Sequence, residues 1–313
     1  MLSRVADSLY WMSRYFERAN HCARVLEANY SLMLNPGKLS TERRWQNIIT
    51  HLGVGPGAAE IEPQAAIFKL LADATNRSSI VSCITSAREN ASQVREQISS
   101  EMWERLNQLY HEINQTTARM GVDSDADVQR LFREIREGSY KFVGVTDATM
   151  NHGEAWQFIQ LGKYMERASA LPLLLDAIFS AAEGADDLDW VGLLASCSAF
   201  EAYCKVYTAD LKPDLVAEFL LLNPEFPSTV RYSTERMQTA LESITRASSA
   251  RKASQIERIV GRLHSSLAYV QIGDIISKDF RAFLRNIIEQ CHNLHAAVHV
   301  AYIDYPIETA FEA

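Results

Sequence analysis

The chain has 313 residues, 47% of them hydrophobic, with 13 Gly and 8 Pro. This length allows one large or two medium domains, and the apolar fraction is sufficient for a sizeable core. The formal charge of −8 argues against a nucleic-acid partner, because surfaces that bind nucleic acid are rich in Lys and Arg.

The low Gly and Pro content, together with the scarcity of alternating polar and apolar runs, predicts an all-α protein. The first helix is predicted from Ser3 to Leu34, ending at Asn35-Pro36-Gly37, because Pro cannot continue a helix. An unusually long helix is predicted from Ser78 to Met120, with a buried stripe from Ile80 to Ile113. The other predicted helices run over about 41–52, 63–74, 125–150, 154–179, 188–208, 213–222, 228–247, 252–276 and 278–302.

Two segments share a Tyr-x-Glu-Arg-Ala pattern 149 positions apart, at 15–19 and 164–168. Apolar residues flanking the two copies also coincide at spacings of three and four, which is typical of one buried helical stripe. The chain is therefore interpreted as internally duplicated, with halves of about 1–150 and 151–313 inside a single domain. Only the leading helix of each half can be aligned from the sequence. Asn151 and Glu154 have the spacing of a capping box for the second copy, and Pro172 is expected to bend it.

The dipeptide Glu-Arg occurs six times, and Glu and Arg are common on solvated helix surfaces. We therefore give weight only to Glu17-Arg18 and Glu166-Arg167. Neighbours on a helix diverge by about 100°, so these residues cannot pair well within their own copy, and their partners must come from elsewhere. One alternative is interhelical salt bridges that fix helix register. The other is a polar pocket in which Arg18 and Arg167 receive a carboxylate or phosphate.

A second charged cluster lies in the predicted long helix, at Arg88, Glu89 and Asn90. Arg88 and Glu89 recur seven residues later as Arg95 and Glu96, beside the apolar seam. Columns of this kind are typical of the flank of a bundle helix, which favours structural pairing over a ligand site.

Three histidines of the last predicted helix, His292, His295 and His299, share one face and are the strongest metal candidate. Zinc needs a convergent ligand set, and the one carboxylate nearby is Glu289 at the edge of that face. We therefore favour histidines that border the core, and predict neither a metal nor a cofactor. A ferritin-like di-iron site is excluded because only one Glu-x-x-His pair is present.

Five cysteines are scattered without any CxxC pair, which indicates buried thiols in a reducing compartment. No apolar run approaches the roughly 18 residues of a membrane span, and the N-terminus does not have the pattern of a signal peptide. The sequence thus predicts a cytoplasmic protein without membrane contact.

Several segments of the chain resemble one family, the alpha-E proteins, which are bacterial all-helical proteins with a Glu-Arg motif. The resemblance is carried by MLSRVADSLYWMSRYFERA, SARENASQVREQISSEMWERLN, GVTDATMNHGEAWQFIQLGKYMERA, FEAY and VAEFLLLNPEFPSTVRY. It implies an elongated multi-helix bundle. The positions that match the family motifs are Glu17, Arg18, Arg88, Glu89, Asn90, Asp147, Glu154, Glu166 and Arg167. One departure is Lys163, which stands where Arg14 stands in the first copy.

The resemblance also implies a partner, because alpha-E proteins are encoded beside, or fused to, a circularly permuted ATP-grasp ligase. It thus points to an accessory protein that binds the ligase or a peptide substrate in an amide-forming or peptide-modifying system. The alternative is an enzyme that processes an acyl phosphate or amide at a Glu/Arg pocket. The sequence contains no recognised nucleophile or phosphate-loop motif, which favours the non-catalytic alternative.

Overall fold

The computed structural model describes residues 1–33, 45–46, 48–49, 51–52, 63–119, 125–180, 186–247 and 253–303. The predicted turn at Asn35-Pro36-Gly37 and most of the helix predicted at 41–52 lie outside these residues. The described part of the chain consists of helices joined by turns and contains no β-strand, as the composition predicts.

The helices are named here in chain order. Their bounds are α1 Ser3–Met33, α2 Pro63–Leu71, α3 Ile80–Gln93, α4 Ser100–Arg119, α5 Asp125–Thr149, α6 Glu154–Phe179, α7 Asp187–Ser196, α8 Phe200–Tyr207, α9 Pro213–Leu222, α10 Val230–Ala247, α11 Ala253–Ala268, α12 Ile272–Lys278 and α13 Phe280–Val298. A 3₁₀ turn, Arg95–Gln97, precedes α4, and a π-helical turn, His299–Ile303, follows α13.

The two helices that carry the Glu-Arg motif, α1 and α6, pack against each other at the centre of the bundle. Helix α1 also packs on α3, α5 and α7, while α6 packs on α10 and α13. Both central helices are therefore buried on several sides. One apolar cluster includes residues of both helices and extends through the surrounding ones, which is the arrangement of a single bundle.

The predicted long helix is wrong in one respect, because it is broken between Val94 and Ser99. Ser99 begins a new helix, α4: its hydroxyl accepts a hydrogen bond from the Met102 amide at 3.1 Å. Ser is a preferred N-cap residue, and the acidic Glu101 in the first turn favours the same start. The apolar stripe is nevertheless buried on both sides of the break, since Val94 and Ile98 are part of the core.

Two other predicted helices are also divided. The helix predicted at 188–208 breaks at Cys197–Ala199, where Ser198 adopts a left-handed conformation with φ 52°. The helix predicted at 252–276 ends at Ala268, and α12 starts after the extended residue Gln271. In each case the apolar period continues across the break, so periodicity alone does not reveal it.

The predicted capping box at the start of α6 is wrong. Gly153 occupies the N-cap position without a side-chain hydrogen bond, and Glu154 is the first helical residue. A capping carboxylate must stand two residues further on, at the third helical position. The Glu154 carboxylate instead lies 3.0 Å from the backbone nitrogen of Met1. Helix α6 runs without interruption through Pro172.

The helices that pack on α1 and α6 have features in common beyond the leading helix of each predicted half. Helix α3 begins after Ser79 and α10 begins after Thr229, 150 positions later, and each hydroxyl accepts a hydrogen bond from the amide three residues on. Helix α3 lies against α1 as α10 lies against α6. These shared features support an equivalence that the two segments do not reveal by sequence identity.

None of the helices in the described ranges is both long enough and apolar enough to cross a bilayer. Four of the five cysteines, Cys22, Cys83, Cys197 and Cys291, are buried, and Cys204 is partly exposed.

Candidate functional site

The two motif helices cross at a point where each presents a small residue to the backbone of the other. The Ser13 hydroxyl of α1 donates a hydrogen bond to the Ile159 carbonyl at 2.7 Å. In the other direction, a Cβ atom added to Gly162 would lie only 2.4 Å from the Tyr10 carbonyl oxygen. Ser13 and Gly162 are 149 positions apart, as are Tyr10 and Ile159. The crossing therefore has local two-fold symmetry, and small residues allow the backbones to approach closely.

One turn further on, the charged residues of the two motifs exchange partners. Glu17 accepts hydrogen bonds from Nε and Nη2 of Arg167 at 2.6 and 3.2 Å. Glu166 accepts the equivalent pair from Arg18, also at 2.6 and 3.2 Å. We call these four residues the Glu-Arg quartet. The prediction that each motif finds its partner outside its own copy is confirmed, and the alternative of interhelical salt bridges describes the arrangement.

Additional groups complete the quartet on both sides. Arg14 Nε donates to Glu166 at 2.8 Å, and Arg24 Nη2 lies 3.6 Å from Glu17. Arg167 Nη1 donates to the carbonyl of Pro227, which lies just before α10. All four carboxylate oxygens of the quartet therefore accept a hydrogen bond from an arginine.

The two carboxylates of the quartet are buried, and their ionisation depends on the ion pairs. Glu17 and Glu166 are only 3% and 6% exposed. Burial by itself would raise the pKa of each carboxyl, but Arg167 and Arg24 hold the pKa of Glu17 below its ordinary value. Arg14 and Arg18 have the same effect on the pKa of Glu166, also against the effect of burial. Both carboxylates are thus charged at neutral pH and matched by guanidinium groups.

The two-fold symmetry fails around the equivalent positions Arg14 and Lys163, which are 149 residues apart. Arg14 pairs with Glu166, whereas Lys163 lines an open space. The space around Arg14 is filled by aromatic rings: its guanidinium lies 5.0 Å from the Trp11 ring centre, and its Nη1 lies 3.3 Å from His295 Nδ1. His295 Nδ1 also accepts a hydrogen bond from the Tyr10 hydroxyl at 2.9 Å. Burial, followed by the charge of Arg14, lowers the pKa of His295 to about 4, so its imidazole is neutral here.

The space around Lys163 is open instead. A cavity of about 480 Å³ lies between α1, α5, α6 and α10, next to Glu17. Its walls combine aromatic rings, two cations and several amide or hydroxyl groups. The residues that line it include Phe16, Glu17, Phe142, Gly144, Asp147, Trp156, Gln157, Gln160, Lys163, Tyr164, Tyr232, Arg236 and Thr239.

The second predicted charged cluster lies apart from the quartet. Arg88 donates to Asn107 at 2.7 Å and stacks over the Tyr110 ring at 4.6 Å, which fixes α3 against α4. Asn90 donates to the Ser86 carbonyl of its own helix, and Glu89 is exposed. These contacts match the flank of a bundle helix that the sequence predicts.

Asp147 and Glu154 are placed differently from each other. Asp147 lines the rim of the cavity, where it is exposed and its Oδ1 lies 3.7 Å from His152 Nε2. Glu154 lies at the start of α6, beside Met1. Only Asp147 and Glu17, among the predicted site residues, line the cavity.

Of the three histidines considered as metal ligands, His295 of α13 and His299 of the following π-helical turn border the core. The His295 and His299 rings pack against Tyr10 and Trp11, while His292 is exposed. Across the described ranges, no group of three or more His, Cys, Asp or Glu side chains has an arrangement that could hold a metal ion.

The cavity was not predicted from the sequence, although one signal for it was present. Lys163 stands where Arg14 stands in the first copy, and it lies in the cavity wall. Tyr232 and Trp156 belong to the segments that carry the family resemblance, but nothing in their spacing shows that they meet. Arg24 was not singled out from the sequence, and Arg236 belongs to a Glu-Arg dipeptide that was given no weight.

Comparison with known proteins identifies long but distant relatives. The chain is 23% identical over 314 aligned positions to the uncharacterised protein Rv2567 of Mycobacterium tuberculosis, and equally to the uncharacterised protein Mb2597 of Mycobacterium bovis. The matches cover 92% of this chain but 35% of each relative, so the chain spans about a third of their length. No solved structure matches the chain. The model of the Alpha-E family, described as a predicted alpha-helical domain with a conserved ER motif, matches residues 1–303, and the chain therefore belongs to the Alpha-E family.

Proposed function

We propose that this domain is a non-catalytic binding module that acts with an ATP-grasp amide ligase in a peptide-modifying or amide-forming system. The proposal depends on one observation: the carboxylates of the Glu-Arg quartet are fully paired within the protein. Every carboxylate oxygen accepts an arginine hydrogen bond, so neither Glu17 nor Glu166 is free to act as a base or nucleophile.

In this proposal the quartet holds α1 and α6 in one register, and the neighbouring cavity receives the ligand. A buried and fully paired charge network is well suited to defining a unique helix crossing. The crossing in turn places Lys163 and the aromatic residues of three helices around one space. The relatives support a role alongside other segments, because the matched region is about a third of each relative's chain.

The partner is proposed from the family resemblance, and reconstitution tests it. We would express the domain with a circularly permuted ATP-grasp ligase of the kind that the family resemblance implies, and measure co-purification, ATP consumption and amide formation with candidate acids and amines. The expected result is a complex in which the domain increases amide formation, while the domain alone shows no turnover. If the ligase does not co-purify with the domain and the domain does not change the rate of amide formation, the proposed binding module is refuted. Turnover of an acyl phosphate or amide by the domain alone would support the alternative, an enzyme at the Glu/Arg pocket.

The role of the quartet within the complex needs a variant that preserves shape. Glu17→Gln with Glu166→Gln removes both charges, and Glu137→Gln with Glu242→Gln, at exposed positions, is the matched control. If the quartet is architectural, ligase stimulation should follow the folded fraction of the double variant. A folded double variant that loses stimulation would instead favour the alternative in which Arg18 and Arg167 receive a carboxylate or phosphate.

A further inference from the structure

We propose that the cavity beside Lys163 is a binding site for a carboxylate carried on an apolar or aromatic body, such as the free carboxylate of an amino acid or short peptide. This inference deepens the proposed function and rests on it for the ligand's place in amide formation. The ligand chemistry itself is argued from the residues that line the cavity.

The charges around the cavity leave cations without partners. Within the described residues, neither Lys163 nor Arg236 forms an ion pair, although both line the cavity. The carboxylate of Glu17 is already matched by Arg167 and Arg24. Asp147 is at the exposed rim, where it faces His152. A ligand that supplies a negative charge would therefore satisfy cations that the protein itself leaves unpaired.

Two neighbouring tyrosines, whose ring planes are tilted by 59°, lie between these cations. The ring centres of Tyr164 and Tyr232 are 5.9 Å apart. Lys163 Nζ lies 5.1 Å from the Tyr164 centre, and the Arg236 guanidinium lies 4.7 Å from the Tyr232 centre. The aromatic pair thus has a cation over each of its rings. A carboxylate at this surface can reach positive charge while its attached body contacts ring faces.

The rest of the wall favours a ligand with an apolar body and additional acceptors. Phe16 and Phe142 pack with ring centres 4.3 Å apart at one side of the cavity. Trp156 also lines it, and its buried indole N–H has no hydrogen-bond partner. An unpaired buried donor is costly, and a ligand carbonyl or carboxylate oxygen would satisfy it. Small-molecule sites commonly have this combination of apolar walls and a few polar groups, in volumes of about 300–1,000 Å³.

On the other side of the crossing, the equivalent space is filled by protein side chains. There, Arg14 pairs directly with Glu166, and His295 fills the adjoining space. Among the residues that the structure describes, no histidine lines the space beside Lys163, and Gly144 in the opposite wall has open space where a Cβ atom would lie. The cavity therefore lies on the side of the crossing where Lys163 stands in place of an arginine.

The test is a titration calorimetry series on the domain alone with four probes. N-acetyl-phenylalanine supplies both a carboxylate and an aromatic body. N-acetyl-phenylalaninamide keeps the body without the charge, while acetate and inorganic phosphate supply anions without the body. We expect N-acetyl-phenylalanine to bind about tenfold or more tightly than each of the other three, because a charge-assisted hydrogen bond and aromatic contacts act together.

Matched variants locate the binding. Lys163→Met should weaken N-acetyl-phenylalanine binding by about tenfold or more, Lys163→Arg should retain most of it, and Lys205→Met, at an exposed position, should leave it unchanged. Gly144→Leu should fill the cavity and abolish binding without loss of the fold, because nothing lies within 4 Å of the added Cβ. Circular dichroism of each variant confirms that it is folded.

Binding should also depend on the charge of Lys163. Burial, followed by repulsion from Arg167, lowers the pKa of Lys163 to about 8 against the opposing effect of Glu17 and Asp147. The charged or titratable groups that face it from the surrounding helices are Glu17, Arg24, Asp147, Tyr164, Arg167, Tyr232 and Arg236. Affinity should fall as the pH rises through about 8, because the neutral amine no longer pairs with a carboxylate, and Lys163→Arg should remove this dependence.

Equal affinity for N-acetyl-phenylalanine and its amide, unchanged affinity in folded Lys163→Met, or no binding of any probe would overturn the inference. These measurements use no ligase, so their failure is distinct from a failure of the reconstituted amide-forming reaction.

Discussion

Glu17 pairs with Arg167 of the second motif helix and not with Arg18, its own neighbour in the sequence. The same exchange joins Glu166 to Arg18. The Glu and Arg of one motif cannot pair with each other within their helix, so they pair with the residues of the other motif. Each motif helix supplies one carboxylate and one guanidinium to the crossing.

The two arginines of the quartet should differ in their contribution to stability. Arg167→Ala leaves Glu17, which is 3% exposed, with only the more distant Arg24, and it also removes the hydrogen bond to Pro227. We expect a loss of about 3 kcal/mol or more in the free energy of unfolding, because a buried charge loses its partner. Arg18→Ala should cost less, since Arg14 still donates to Glu166. Urea denaturation measures both changes.

Arg285→Ala is the control for this pair, because Arg285 is exposed and 3.9 Å from an exposed Asp279. Its effect should lie within about 0.5 kcal/mol. Equal losses for Arg18→Ala and Arg167→Ala would contradict the asymmetry.

The close crossing of α1 and α6 predicts that Gly162 does not tolerate even alanine. In Gly162→Ala the new Cβ would lie 2.4 Å from the Tyr10 carbonyl, so the helices must separate. Gly261→Ala in α11 is the matched control, because nothing lies within 4 Å of its added Cβ. We expect Gly261→Ala to stabilise the protein by up to about 1 kcal/mol through helix propensity, and Gly162→Ala to destabilise it despite the same gain. Thermal denaturation of the two variants side by side would contradict the crossing geometry if both were stabilised.

The neutral state of His295 predicts a loss of stability in mild acid. Its pKa is lowered to about 4 in the fold, whereas the unfolded chain has an ordinary histidine pKa near 6.5. Between these values the unfolded state binds a proton that the folded state does not, so stability decreases as the pH falls from about 6.5 to about 4. His21, whose pKa is also lowered to about 4 by burial, acts in the same direction.

The variant His295→Gln should reduce the pH dependence of stability between about pH 6.5 and 4. The contribution of His21 to that pH dependence should remain. A ¹H NMR titration should place the midpoint of His295 near pH 4. A midpoint near 6.5 would show that the imidazole is solvated and that its contact with Arg14 is absent.

The equivalence of α3 and α10 predicts matching effects of their caps. Ser79→Ala and Thr229→Ala each remove a hydroxyl that accepts an amide hydrogen bond at 3.2 Å. Each should lower the free energy of unfolding by about 1 kcal/mol. Ser92→Ala, at an exposed position inside α3, should have little effect or a slightly stabilising one. Chemical denaturation is the measurement. If neither Ser79→Ala nor Thr229→Ala lowers the free energy of unfolding, the caps no longer support the equivalence of α3 and α10.

The sequence by itself determined the helical class, the two motif helices and the existence of partners outside each copy. These follow from local rules: apolar spacing of three and four defines a buried stripe, and adjacent residues on a helix point about 100° apart. The long predicted helix shows the limit of the same rules. Its stripe is buried throughout, yet the capping hydroxyl of Ser99 breaks the helix within it.

Only the tertiary structure decided which carboxylate pairs with which guanidinium, and that a cavity lies beside Lys163. Glu17 and Arg167 are 150 positions apart, and the crossing that joins them depends on a glycine and a serine whose close approach has no periodic signal. The cavity likewise requires side chains from four helices, α1, α5, α6 and α10, to leave one space unfilled. Local patterns specify which faces are buried, whereas the contents of the space between those faces depend on side-chain volumes from distant segments that pack together only in the fold.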